Sequence, residues 1–70
     1  MIEVFKTNVT KYEQASKLIE LLQQQFPGNK INFDLHDCDK ILRIDGSEYL
    51  AEDVMNLLNA KGFKCELLTA

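Results

Sequence analysis

Basic residues are scarce in this chain. Eight Lys and Arg stand against eleven Asp and Glu among 70 residues, a formal net charge of −3 with a pI near 4.9. Proteins that bind nucleic acid draw their affinity from phosphate contacts and need a surplus of positive charge, so no nucleic-acid partner is expected. The deficit is uneven: residues 1–30 carry four bases and three acids, residues 31–70 four bases and eight acids. Long apolar runs are missing as well. No segment approaches the roughly 20 apolar residues of a membrane span, and the opening MIEVFKTNV lacks the apolar core of a secretory signal. The expectation is a cytoplasmic chain with no membrane partner. Cysteine is limited to Cys38 and Cys65, a pair expected to stay reduced in a small unsecreted protein. Linkers, repeats and low-complexity stretches are absent, and 46% hydrophobic with 27% charged residues excludes disordered and fibrous classes. A chain this short folds as one domain, 1–70, and buries only about 60% of the surface it exposes unfolded.

What is present alternates between two periods. Ile2 to Thr7 has a period of two, with Ile2 and Val4 on one face and Glu3 and Phe5 on the other, and reads as a strand. Thr10 with Glu13 fits a capping box, which starts a helix at Lys11. Ala15, Leu18, Ile19 and Leu22 then mark one apolar helix face, and Pro27 closes the helix near Gln25. Ile31, Phe33 and Leu35 alternate with polar residues. The short segment Asp37-Cys38-Asp39-Lys40 serves as a hairpin into Ile41–Ile44, with Leu42 and Ile44 sharing a face. Ser47 is a candidate cap for a second helix whose buried stripe is Leu50, Ala51, Val54, Leu57 and Leu58. Gly62 suits a left-handed helix terminus, and Phe63, Cys65 and Leu67 alternate through a last strand.

The element string is therefore βαββαβ. Crossover handedness turns it into an α+β, ferredoxin-like sandwich: a four-stranded antiparallel sheet of order 4-1-3-2 with two helices on one face. This topology places the turn after the first strand, the hairpin at 36–40 and the turn at 61–63 at the same end of the sheet.

The segment Val9-Thr10-Lys11-Tyr12-Glu13-Gln14-Ala15 leading into an amphipathic helix, with Gly62-Phe63 before the last strand, resembles the heavy-metal-associated (HMA) domains, small carriers of soft metals. The resemblance spans nearly the whole chain. It implies a metal loop of the form M-x-C-x-x-C, yet its two cysteine positions fall on Lys11 and Gln14. Soft Cu(I) is selected by thiolate or thioether ligands, and a protonated lysine at the site repels a cation. The resemblance thus implies the family's fold as a binding module, without its metal transfer.

Other candidate sites are sparse. His36 and Cys38, two positions apart with Asp34 and Asp39 nearby, have the chemistry to bind Cu or Zn. Two N/S ligands are short of the four of a structural zinc site, so carboxylates or a second chain would have to complete it, and a plain solvated turn is the alternative. As a nucleophile–base pair they lack an orienting third group, and acidic neighbours disfavour the thiolate; no enzyme is expected. Cys65 reads as a small buried hydrophobe. The sheet face left bare by the helices is expected to carry Phe5, Ile41 and Leu68, a surface for a protein partner or a homo-oligomer. Three function classes follow: a contact module without cofactor, an unconventional Cu or Zn protein, and a small-molecule sensor, for which the glycine-lined loop is lacking.

Overall fold

The computed structural model describes residues 1–68. Its elements are β1 (Ile2–Thr7), α1 (Tyr12–Gln25), β2 (Lys30–Asp34), β3 (Ile41–Asp45), α2 (Ala51–Ala60) and β4 (Cys65–Leu67). The strands form one antiparallel sheet of order β2-β3-β1-β4, the ferredoxin-like α+β arrangement expected from the element string. Ala15, Leu18 and Leu22 of α1 and Val54 and Leu58 of α2 join Phe5, Ile31, Leu42 and Ile44 in a single core, so both helices cover the same face.

The register of β1 is the main departure from the sequence reading. Phe5 is fully buried and lies opposite Leu42 on one side and Leu67 on the other. Phe5 is therefore a core residue and forms no part of the open face, where it was expected beside Ile41. Since side chains alternate along a strand, Glu3 and Thr7 turn inward with it, and Ile2, Val4 and Lys6 face outward. Burying a phenylalanine contributes more than burying a valine, and the two polar residues that come inward are matched. The Tyr49 hydroxyl donates to Glu3 Oε1, while Thr7 Oγ1 donates to the Lys40 carbonyl and accepts from the Val9 N–H.

Both helix starts also differ from expectation. α1 begins at Tyr12 with Lys11 in the N-cap position, extended at φ −113° and ψ 138°, and no side chain caps it; Thr10 makes no capping box. α2 begins at Ala51 after Leu50, again without a side-chain cap, so Ser47 is not its cap. Leu50 is 68% exposed and stands outside the buried stripe. The preceding loop is occupied otherwise: Asn29, itself buried, donates to the Phe26 carbonyl and accepts from the Glu48 N–H. Gly46 packs against that asparagine so closely that a Cβ there would lie 2.0 Å from Asn29 Oδ1, which explains why the chain has a glycine at 46. The end of α2 is as expected: Gly62 has φ +90° and the Phe63 N–H donates to Leu58 O at 2.9 Å, a Schellman closure.

This register is testable by stability alone. Phe5→Ala should cost about 3–5 kcal/mol and lower the melting temperature sharply, while Ile2→Ala, at a half-exposed outward position, should cost well under about 1 kcal/mol. Equal losses for the two variants, measured by thermal and urea unfolding, would contradict the register.

Candidate functional site

Three loops meet at the end of the sheet where β1 finishes, as the topology requires. The Thr7 N–H donates to Asp39 O at 3.1 Å, joining β1 to the hairpin between β2 and β3. Asn8 Oδ1 accepts the Lys64 N–H at 2.8 Å, joining the β1–α1 loop to β4. Lys6 Nζ lies 3.8 Å from Asp39 Oδ1, both side chains about half exposed, an ion pair of small energetic weight. Val9, at the apolar position of the expected metal loop, is fully buried beneath these contacts. Loop 8–11 is therefore anchored on both sides and underneath.

Within that frame Lys11 is exposed and Gln14 partly buried. As N-cap and third helical residue they hold the relation in which capping-box side chains meet, so cysteines at the two places would converge. As they stand, one is an ammonium and the other an amide, and neither is a soft-metal ligand.

The structure gives His36 a partner on α1. His36 Nε2 lies 3.0 Å from the Tyr12 hydroxyl, with the rings edge to face at 6.4 Å. That contact ties the hairpin tip to the first turn of α1. The His36 N–H donates to Asp34 Oδ1 and the Asp39 N–H to Asp37 Oδ1, so the aspartates shape the turn through their side chains. Lys40, left-handed at φ +48°, donates its ammonium to Leu35 O at 3.0 Å. The ligand atoms of Asp37, Cys38 and Asp39 lie within 4.8 Å of one another; the imidazole is not among them. Sequence spacing placed His36 and Cys38 together because it carries no information on how a tight turn rotates successive side chains.

The cysteines are both free, Cys38 exposed and Cys65 partly buried against the core. Burial pushes the Cys65 thiol up from its ordinary 9.0 to about 12, the behaviour of an inert packing residue. Tyr49 is also raised, first by burial and then by its hydrogen bond to Glu3 and the nearby negative charges of Glu3 and Asp45.

On the open face, Ile2 is 54% and Leu68 45% exposed. Val4 stands between them, since the Leu68 N–H donates to Val4 O at 2.9 Å. The sequence reading missed Ile2 and Val4 here because it assigned them to the core. Ile41 shares this face by register, opposite Asp34, yet is only 7% exposed, so of the three expected partner residues Leu68 alone is both outward and accessible. Around the strip, Lys30 stands opposite Asp45, Lys6 opposite Glu66, and Arg43 between Val4 and Asn32. Among the described residues no helix is long and apolar enough to cross a membrane. No family model, curated protein or solved structure matches the chain.

The two thiols should differ in reactivity. At about pH 8 Cys38 should take a thiol reagent rapidly and Cys65 resist until the protein is unfolded. A folded-state pKa above the unfolded one contributes stability that is complete below the unfolded value and lost as pH rises. Melting temperature should therefore fall from pH 9 toward 12 as the Cys65 contribution is lost, with Tyr49 adding to the loss above its ordinary 10.0. Cys65→Ala should remove the earlier part of that decline; an unchanged profile in the variant would refute it.

Proposed function

We propose that this chain is a small, non-enzymatic, cytoplasmic binding module of the heavy-metal-associated fold, without that family's metal site, acting through protein contact at its open sheet face. The observation that carries the reading is the outward strip Ile2, Val4 and Leu68, set among charge pairs on a face no helix covers. Burying the exposed part of Ile2 and Leu68 against a partner would contribute up to about 1.5–3 kcal/mol each, and the surrounding Lys6, Glu66, Arg43 and Asp45 would set its orientation. The partner is a second copy or another protein whose surface offers apolar side chains ringed by mixed charge.

Other classes fare worse on the same residues. Single-stranded RNA is held by aromatic side chains on the central strands, and with Phe5 turned inward none projects from β1 or β3. Catalysis by a thiol would need a base beside Cys38, whereas His36 is engaged by Tyr12 and the neighbours of Cys38 are carboxylates. One observation favours a second reading, an unconventional Cu or Zn site: the closeness of Asp37, Cys38 and Asp39. In that reading the carboxylates stand in for His36 beside Cys38, and a second subunit completes the shell.

Two experiments test these readings. Ile2→Glu with Leu68→Glu should abolish self-association seen by sedimentation or, if the chain is monomeric, release the proteins that the wild type retains, with melting temperature nearly unchanged. A double variant that retains the same partners would defeat the contact reading. Metal analysis of the reduced wild type should find no stoichiometric metal, and Lys11→Cys with Gln14→Cys should confer tight Cu(I) binding because two thiolates then flank one helix start. A full equivalent of zinc or copper on the wild type would favour the second reading, and a double-cysteine variant indifferent to Cu(I) would count against the family resemblance.

A further inference from the structure

The sheet order β2-β3-β1-β4 leaves β2 at an edge, with no strand along one of its sides. Which backbone groups lie on that side follows from the rest of the ladder. The Gly46 N–H donates to Met1 O at 2.8 Å and the Leu68 N–H to Val4 O at 2.9 Å, so odd-numbered residues of β1 exchange bonds with β3 and even-numbered ones with β4. In β3 this assigns Leu42 and Ile44 to β1 and leaves Ile41, Arg43 and Asp45 to bond Asp34, Asn32 and Lys30. Ile31 and Phe33 therefore turn their N–H and C=O groups toward the open edge. Just beyond them the outward carbonyls are taken: Gln23 Nε2 donates to Asn29 O at 3.3 Å and Lys40 Nζ to Leu35 O at 3.0 Å. Between these two closures, among the described residues, no group outside the sheet bonds Ile31 or Phe33.

An unpaired edge is a template for another strand, and this one complements its own reverse. Set antiparallel to a second copy about Asn32, Ile31 meets Phe33 and Lys30 meets Asp34. Ile31 and Phe33 then exchange N–H···O bonds in both directions, because outward groups of one strand face outward groups of the other. Lys30 and Asp34 are exposed on the face away from the helices, and among the described residues neither side chain forms an ion pair. A lysine on an edge ordinarily discourages pairing; in this register an aspartate meets it. Half-buried Phe33 covers its accessible part on Ile31 of the second copy. A shift of two residues either way sets Lys30 or Asp34 against Asn32 and runs the ladder into Asn29 or Leu35. The other edge, β4, has only three residues.

We propose that β2 pairs antiparallel with β2 of a second copy of this chain, centred on Asn32, joining two four-stranded sheets into one. The joint rests on one strand pair and few side chains, which places it among weak interfaces, with a Kd of about 0.2 mM. It is dissociated at the tens of micromolar of a sedimentation run, leaves Ile2, Val4 and Leu68 uncovered, and stands whether or not the contact reading does.

The test is NMR of the full chain between about 20 µM and about 2 mM. Amide shifts that grow with concentration and centre on residues 30–34 are expected. In an equal mixture of carbon-13-labelled and unlabelled chain at the higher concentration, a filtered NOE should join the Asn32 Hα protons of the two copies, whose Cα atoms lie about 4.5 Å apart in a pair of this kind. Lys30→Asp and Asp34→Lys should each weaken the pairing about tenfold by setting like charges opposite. Mixing the two variants should restore it, since each then faces the charge opposite to its own. Ile2→Glu with Leu68→Glu should leave the Asn32 contact in place. The proposal is overturned by shifts at β2 that do not change with concentration, by an intermolecular NOE in another register or at β4, by shifts confined to Ile2, Val4 and Leu68, which would mark association through the open face instead, or by a mixture of the two charge variants that pairs no better than either alone.

Discussion

The inward turn of Phe5 is the constraint on which the rest of the molecule depends. β1 is a central strand, paired with β3 and β4 at once. Because side chains alternate, the orientation of one residue decides that of the whole strand. With Phe5 between Leu42 and Leu67, the helices have an aromatic centre to pack on, Thr7 is brought to the hairpin, and Glu3 to Tyr49. The same choice leaves Ile2 and Val4 on the open face. A slip of one residue would exchange these sets and present an aromatic to solvent on one side and Lys6 to the core on the other.

The polar contacts that accompany this choice are few and mutually supporting. Thr7 uses both functions of its hydroxyl, bonding the hairpin carbonyl of Lys40 and the N–H of Val9. Its backbone N–H reaches Asp39. One buried threonine thus joins the end of β1, the hairpin and the loop into α1, and a small domain with limited apolar burial gains from such fully satisfied polar links. At the other end of the sheet, Asn29 does the corresponding work between the end of α1 and the approach to α2, and the absence of a side chain at Gly46 makes room for it.

The resulting molecule has two unlike accessible surfaces. The open sheet face offers apolar side chains among matched charges, a pattern suited to a protein surface. The groove on the helix side is lined by Gln14, Lys17, Leu18, Leu21, Lys61 and Phe63. Between them, at the loop end, the positions of the resembling metal motif hold Lys11 and Gln14, and Gln14 forms part of the groove wall. Of these two residues, Gln14 is the one whose side-chain oxygen is buried without a partner.

Local sequence pattern sufficed for the element order, the sheet order, the Gly62 terminus and the meeting of three loops at one end. Each of these follows from periodicity, turn chemistry or chain handedness, which act within a few residues or on the string as a whole. The same pattern placed Leu42, Ile44, Ile31, Cys65 and Leu67 on their correct faces, where apolar and polar residues alternate cleanly. It failed at β1, because Ile2 and Val4 on one face and Phe5 on the other both read as apolar, and only packing against the helices ranks them. It failed at both helix starts, where Thr10 and Ser47 have capping chemistry but the chain enters the helix later, at Lys11 and Leu50. It joined His36 to Cys38 without showing that the imidazole bonds Tyr12 or that the carboxylates of Asp37 and Asp39 gather about Cys38. The groove had no sequence signature at all, since Gln14, Lys17, Lys61 and Phe63 come from segments more than forty residues apart. Tertiary structure decided these matters for one physical reason: each depends on which of several locally acceptable partners lies within reach once the sheet and helices have packed.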